Sequence, residues 1–186
     1  MSGRSDFNLR IMSEADLEMV RTWRNSEQVR QNMYTDQLIS EDEHTQWFAQ
    51  VAHDERSCPL LFEYQQRPVG FVSFSHIDAT HGTAQWAFYL GETQVARGLG
   101  STMEYLAIEY AFDTLHIRKL LCEVFVFNST VIKMHKKFGF VEEGILVRQK
   151  AKNGSYEDVV LLALFQADWE REEERGLHLR KLCSLQ

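Results

Sequence analysis

The sequence predicts one mixed α/β domain, built on a central, mostly antiparallel sheet of about seven strands with flanking helices. Short apolar or alternating runs recur about seven times along 186 residues, helical periodicity fills several of the gaps between them, and turn residues punctuate the junctions. With 44% hydrophobic residues the chain can bury one substantial core, and its length calls for no second domain.

The elements follow in order. Residues 7–12 open a strand, and Ser13 with Asp16 makes a capping pair for a helix through Trp23. Residues 26–33 continue as a second helical piece. Ser40 and Glu43 form a capping box for a helix over 41–53, where His44, Trp47, Phe48 and Val51 share a face. Residues 60–64 and 69–75 flank Gln65, Gln66, Arg67 and Pro68 and read as a hairpin, followed by a strand over 83–90. After a glycine-rich turn, Met103, Leu106, Ala107, Tyr110 and Ala111 stand at helical spacing, predicting a helix over 101–114. Residues 119–127 are a strand interrupted by Glu123, and Asn128 caps a helix over 129–138 that stops at Gly139. Strands over 140–150 and 157–165 surround Asn153 and Gly154, a hairpin signal, so the sheet ends antiparallel. Residues 168–186 read as a charged terminal helix or tail within the same domain.

Charge and composition narrow the partner. A net charge of -7 and a pI near 5.5 oppose a general affinity for nucleic acid or anionic membrane and favour a small molecule. No apolar run approaches the ~20 residues of a membrane helix, and residues 1–8 lack an apolar leader, so a cytoplasmic protein is expected. Cys58, Cys122 and Cys183 are too scattered for a disulfide framework, and the seven histidines show no metal-ligand spacing, so no metal is expected.

The turn Ala96-Arg97-Gly98-Leu99-Gly100-Ser101-Thr102 joins a strand to a helix. Its glycines let main-chain N–H groups converge, and the helix adds its free N-terminal donors, so the turn reads as a pyrophosphate cradle. This element order resembles the Gcn5-related N-acetyltransferase (GNAT) superfamily over nearly the whole chain. The resemblance implies an acetyl-CoA site and a sheet splayed between its fourth and fifth strands. The family places Gln or Arg three residues before the first glycine; here Val95 stands there, with Gln94 and Arg97 nearby.

The run from Asn128 through His135 and Lys137 to Gly139 and Phe140 is similar to the family segment N-x-x-A-x-x-L-Y-x-K-x-G-F. By that resemblance Asn128 holds the pantetheine arm, His135 takes the place of a tyrosine that protonates the departing thiolate, and the main chain of Phe88, Tyr89 and Leu90 polarises the acetyl carbonyl. Thr22-Trp23-Arg24-Asn25, Met33-Tyr34 and Glu43-His44, with Glu123-Val124-Phe125, are similar to the aminosugar N-acetyltransferases of pseudaminic acid biosynthesis. That implies transfer to the 4-amino group of a UDP-linked amino-dideoxy sugar in a ternary complex. It also places Arg24, Met33, Tyr34, His44 and Trp47 in acceptor recognition.

The residues themselves leave alternatives. Glu123 on an apolar strand is a candidate base, its carboxyl raised by desolvation, or a structural partner of a buried cation. His135 is a candidate acid or an exposed helix histidine. Cys122 has no neighbouring histidine in the sequence and reads as core packing. Acetylation of a protein N-terminus or an aminoglycoside, and a non-catalytic acyl-CoA-binding module, are the competing functions. Apolar edge positions in the terminal hairpin would suit a homodimer.

Overall fold

Asp16 closes the first loop of the chain. Its carboxylate accepts the Ser13 main-chain N–H and hydroxyl, both at 2.8 Å, and two guanidinium nitrogens of Arg10, both at 2.7 Å. The capping box expected from Ser13 and Asp16 is therefore present, and Glu14–Asp16 forms one tight turn before the first helix. Arg10 projects from the first strand, β1 (Phe7–Ile11), so the same carboxylate ties that strand to helix α1 (Leu17–Asn25).

A computed structural model describes residues 4–171 of the chain. After α1 come α2 (Glu27–Arg30) and α3 (Glu41–Val51), then β2 (Cys58–Tyr64), β3 (Arg67–Asp78) and β4 (Thr83–Leu90). Helix α4 (Leu99–Glu109) runs into a wider turn of helix at Tyr110–Thr114, and β5 (Lys119–Phe125) and α5 (Ser129–Lys137) follow. The described chain closes with β6 (Val141–Lys152), β7 (Ser155–Phe165) and α6 (Gln166–Arg171). One seven-stranded sheet results, in the order β1-β2-β3-β4-β5-β7-β6, and only the β4–β5 pair is parallel.

Several boundaries differ from the sequence reading for local reasons. The second helical piece stops at Arg30, one turn after its Ser26 cap. The β2–β3 turn is only Gln65 and Gln66, both at positive φ; Arg67 and Pro68 already belong to β3, and the register slips beside Pro68, which has no N–H to give. Asn128 makes no side-chain cap to α5, and its backbone is neither helical nor extended. The predicted tail at 168–186 lies outside the described residues beyond 171.

The main core is packed between one sheet face and helices α4 and α5, with Leu60, Phe62, Val72, Met103, Ile108, Leu120 and Leu162 fully buried. A second cluster lies on the other face, where Val20, Trp23 and Phe48 of α1 and α3 cover Leu61 of β2 and Phe71 of β3. The outer strand β6 leaves Val141, Ile145 and Val147 exposed. Among the described residues no helix is long and apolar enough to cross a membrane.

Arg10 first, then the Ser13 bonds, hold the Asp16 carboxyl down at about 2 against the opposing effect of burial. Because this value lies below the ordinary 3.8, the stabilisation is present above pH 4 and is lost as pH falls through 2. The expected loss across that interval is roughly 2 kcal/mol. Urea unfolding of Asp16→Asn should show a stability reduced by about 2 kcal/mol at pH 7 and a flatter acid limb; an unchanged acid limb would place the titration elsewhere.

Candidate active site

Strands β4 and β5 pair only through Thr83, Ala84 and Gln85 against Lys119, Leu120 and Leu121. Beyond these, β4 stays on β3 as far as Leu90 and β5 stays on β7 as far as Phe125, so their facing edges part. Main-chain donors and acceptors on those edges then point into a gap with no strand to satisfy them. The gap is a cleft of about 490 Å³, walled by Phe88, Tyr89 and Leu90 on one side and Cys122 and Glu123 on the other. Asn128 and His135 also line it.

Gly100, near the start of α4, lines the same cleft. Gly98 immediately before it has φ +93, and a Cβ there would meet nothing within 4 Å, so the backbone turn itself demands glycine. The cradle is narrower than the sequence implies. The Thr102 N–H and hydroxyl both bond the Gly98 carbonyl, at 3.0 and 3.3 Å, and the Leu99 side chain lies in the core. What faces outward is the main chain of Gly98, Gly100 and Ser101, whose first-turn amides have no partner within the helix, and the exposed Arg97. Val95, where the family pattern has Gln or Arg, packs against the core.

A second cavity of about 390 Å³ lies on the other sheet face, lined by Arg24, Met33, His44, Trp47, Phe71 and Tyr89 among others. Met33, Ala87 and Tyr89 line both spaces, so the cavity and the cleft meet at β4. Arg24 donates to the Thr35 carbonyl at 2.8 Å through one nitrogen, while its other terminal nitrogen is buried without a partner among the described residues. His44 stacks on Trp47 with ring centroids 5.0 Å apart, and its buried Nδ1 is likewise unpartnered. Burial lowers the pKa of both groups. Tyr34 does not join this cavity. It lines the cleft, donates its hydroxyl to Glu123 and lies under Lys150 of β6 at 4.3 Å. The buried Lys152 donates to the Met33 carbonyl at 2.9 Å, so the terminal hairpin holds the loop that carries Met33 and Tyr34.

Residues 9–161 match the family model described as an acetyltransferase (GNAT) domain. The chain belongs to the GNAT acetyltransferase family. It is 25% identical to the spermidine N(1)-acetyltransferase of Vibrio cholerae, covering 91% of this chain and 99% of that one. A crystal structure of the Vibrio cholerae enzyme with CoA and spermine superposes with a TM-score of 0.84 at 24% identity, over 90% of this chain and 99% of the other. The acetyltransferase PseH of Campylobacter jejuni is 24% identical over 72% of this chain and 82% of its own.

These matches overturn the UDP-linked amino sugar implied by the short N-terminal motifs, since relatives matching nearly the full chain are spermidine enzymes. The geometry explains why those motifs misled. Trp23 is buried and gives its indole N–H to Glu92 at 3.1 Å, and the Asn25 amide bonds both the N–H and the carbonyl of Ile39. Two of the three residues in Trp23-Arg24-Asn25 thus hold the fold together, and only Arg24 faces the cavity.

Within the GNAT frame three sequence expectations change. Glu123 is exposed rather than buried in the strand. Its partner is instead Tyr34, whose phenol is pushed up by burial first and by Glu123 second, and so stays protonated. His135 is only 2% exposed and is not a surface histidine; its Nδ1 lies 2.7 Å from Glu104 Oε1. Cys122, expected to have no neighbouring histidine, lines the same cleft as this ring and acts on its titration.

Glu104 escaped the sequence reading altogether. It is fully buried on α4, at helical spacing from Ile108 and Ala111, and one of its oxygens has no partner among the described residues. A carboxylate on an apolar helix face was the available signal. The close seat of Trp23 also went unread: a Cβ on Gly91 would lie 2.0 Å from the indole. Gly91→Ala should therefore cost about 1–3 kcal/mol by thermal unfolding. It should also weaken acceptor binding more than coenzyme binding, because α1 must shift away from β4; equal stability in the variant would contradict the packing described.

Proposed function

We propose that this protein transfers an acetyl group from acetyl-CoA to a primary amine of a small acceptor, with polyamines as the leading acceptor class. The observation that carries the reading is the meeting of cleft and cavity at Met33, Ala87 and Tyr89. A coenzyme arm lying between β4 and β5 and an amine arriving between α1 and α3 would reach each other across β4. The Gly98–Ser101 main chain and Arg97 fit a pyrophosphate, and the main-chain groups of Phe88 and Leu90, which turn away from β3, fit the pantetheine and the acetyl carbonyl, whereas those of Tyr89 face Phe71 of β3. Asn128, whose side chain makes no cap bond, lines the cleft and would hold the arm.

Glu123, exposed at the cleft wall and bonded to Tyr34, takes the amine proton directly or through water. His135 supplies the proton that the departing thiolate needs. The relatives act on spermidine, and Glu43 in the cavity with Glu123 in the cleft offers carboxylates to the separated ammonium groups of a polyamine. Arg24 and His44 favour a second reading, an amine that also carries an oxyanion, because each has a buried nitrogen without a partner among the described residues.

Free-thiol release measured with acetyl-CoA and a panel of spermidine, spermine, simple monoamines and amines bearing carboxylate or phosphate separates these. Turnover of spermidine at low concentration supports the polyamine reading, preference for the oxyanion amines supports the second, and no thiol release with any amine defeats both. Arg24→Gln is expected to lower the KM of a polyamine by removing a like charge and to raise that of an oxyanion amine at least tenfold, with the KM of acetyl-CoA unchanged.

A further inference from the structure

The Glu104 carboxylate, the His135 imidazole and the Cys122 thiol cluster at the wall of the cleft. Glu104 on α4 is 0% exposed, His135 on α5 2% and Cys122 on β5 4%. Glu104 Oε1 lies 2.7 Å from His135 Nδ1, and Cys122 lines the cleft beside the same ring. With Nδ1 given to the carboxylate, Nε2 is the ring nitrogen left for the cleft. Three aromatic rings also pack on the imidazole: Trp86 and Phe88 of β4 and Phe140 meet it at centroid distances of 5.5, 5.7 and 4.9 Å. Among the described residues, Glu104 and Cys122 are the titratable groups that act on it.

An isolated buried carboxylate is costly, and an unpartnered oxygen on it more so. A core position between Met103 and Tyr105 could hold an apolar residue at no such cost, so the carboxylate at Glu104 calls for a role. We propose that Glu104 is the positioning residue of the leaving-group acid: it grips Nδ1 so that Nε2–H of His135 is presented to the coenzyme sulfur during transfer. This rests on the acetyl-transfer reading above and names the machinery behind its acid. In the step, the carbonyl carbon gains its bond to the amine nitrogen and loses its bond to sulfur, with that electron pair staying on sulfur. His135 gives its Nε2 proton to the sulfur and is left neutral, with Nδ1–H still on Glu104. Solvent reprotonates it, while the amine's proton leaves on the Glu123 side.

The electrostatics agree with this direction. Burial alone would lower His135, but Cys122 and then Glu104 act against it, so the imidazole is pushed up and its hold on a proton is strengthened. Burial meanwhile raises the Glu104 carboxyl, and the histidine opposes that rise, so the pair keeps hold of a proton between them. A ring so held cannot act as a base, but it can donate to a thiolate.

Nitrogen NMR of ring-labelled histidine in the full-length protein tests the proposal without any amine acceptor. Coenzyme A should move the His135 Nε2 resonance and leave Nδ1 in place, whereas an analogue with the sulfur replaced by hydrogen should bind the cleft and leave Nε2 unmoved. In Glu104→Gln, the pH midpoint of the His135 ring should fall by about 1–3 units. Cys122→Ala should retain coenzyme binding and the Nε2 response. Because Glu104→Gln could perturb folding, its thermal midpoint and coenzyme A affinity are measured alongside, and the wild-type comparison of the two coenzymes stands without it. Identical Nε2 shifts from coenzyme A and the sulfur-free analogue, or an unmoved His135 midpoint in folded Glu104→Gln, would overturn the proposal. Failure of the amine panel with these resonances behaving as described would instead remove the acetyl-transfer reading and leave the ring geometry intact.

Discussion

The site depends on three residue pairs. Because β4 and β5 are joined only at residues 83–85 and 119–121, and each is committed to a different antiparallel partner, the sheet must open beyond them. A sheet interior rarely leaves main-chain groups unpaired, since each such group costs free energy away from water. Here the unpaired edge is placed where an extended, amide-bearing arm can complete it. The cleft is thus a consequence of strand pairing, and its walls would stand with quite different side chains.

Two faces of the opened sheet are then furnished separately. On one, α4 and α5 bring the glycine turn, Asn128 and His135 to the cleft, with Glu104 buried behind His135. On the other, α1 and α3 roof a cavity that reaches the cleft at Tyr89. Trp23 seats α1 against Gly91 at the end of β4, and Lys152 from the terminal hairpin fastens the loop carrying Met33 and Tyr34. The cavity is therefore walled by the first helices and the middle strands, while one indole and one buried ammonium from the terminal hairpin hold the loop and helix at its edge.

The contrast between Glu104 and Glu123 shows how environment overrules residue type. Glu123 interrupts an apolar strand and looks buried, yet the parting of β4 and β5 leaves it at an open wall. Glu104 lies on a helix of mixed composition and looks ordinary, yet α4 is buried on nearly every side, with Thr102, Met103, Tyr105, Ala107 and Ile108 all inaccessible. Periodicity can find a helix face but cannot count how many neighbours will cover it. The same limit hid the neighbour of Cys122, since His135 lies thirteen residues away on another element.

The sequence by itself determined the order and kind of nearly every element, the antiparallel ending at Asn153 and Gly154, the glycine turn and the GNAT resemblance, because these rest on local periodicity, capping and turn chemistry. It also marked Arg24, Met33, His44 and Trp47, which do share one cavity. Only the tertiary structure decided that Trp23 and Asn25 brace the fold, that Tyr34 partners Glu123, and that Glu104 and Cys122 flank His135. Those relations join residues far apart in the chain, and burial and pairing exist only once the strands and helices have packed.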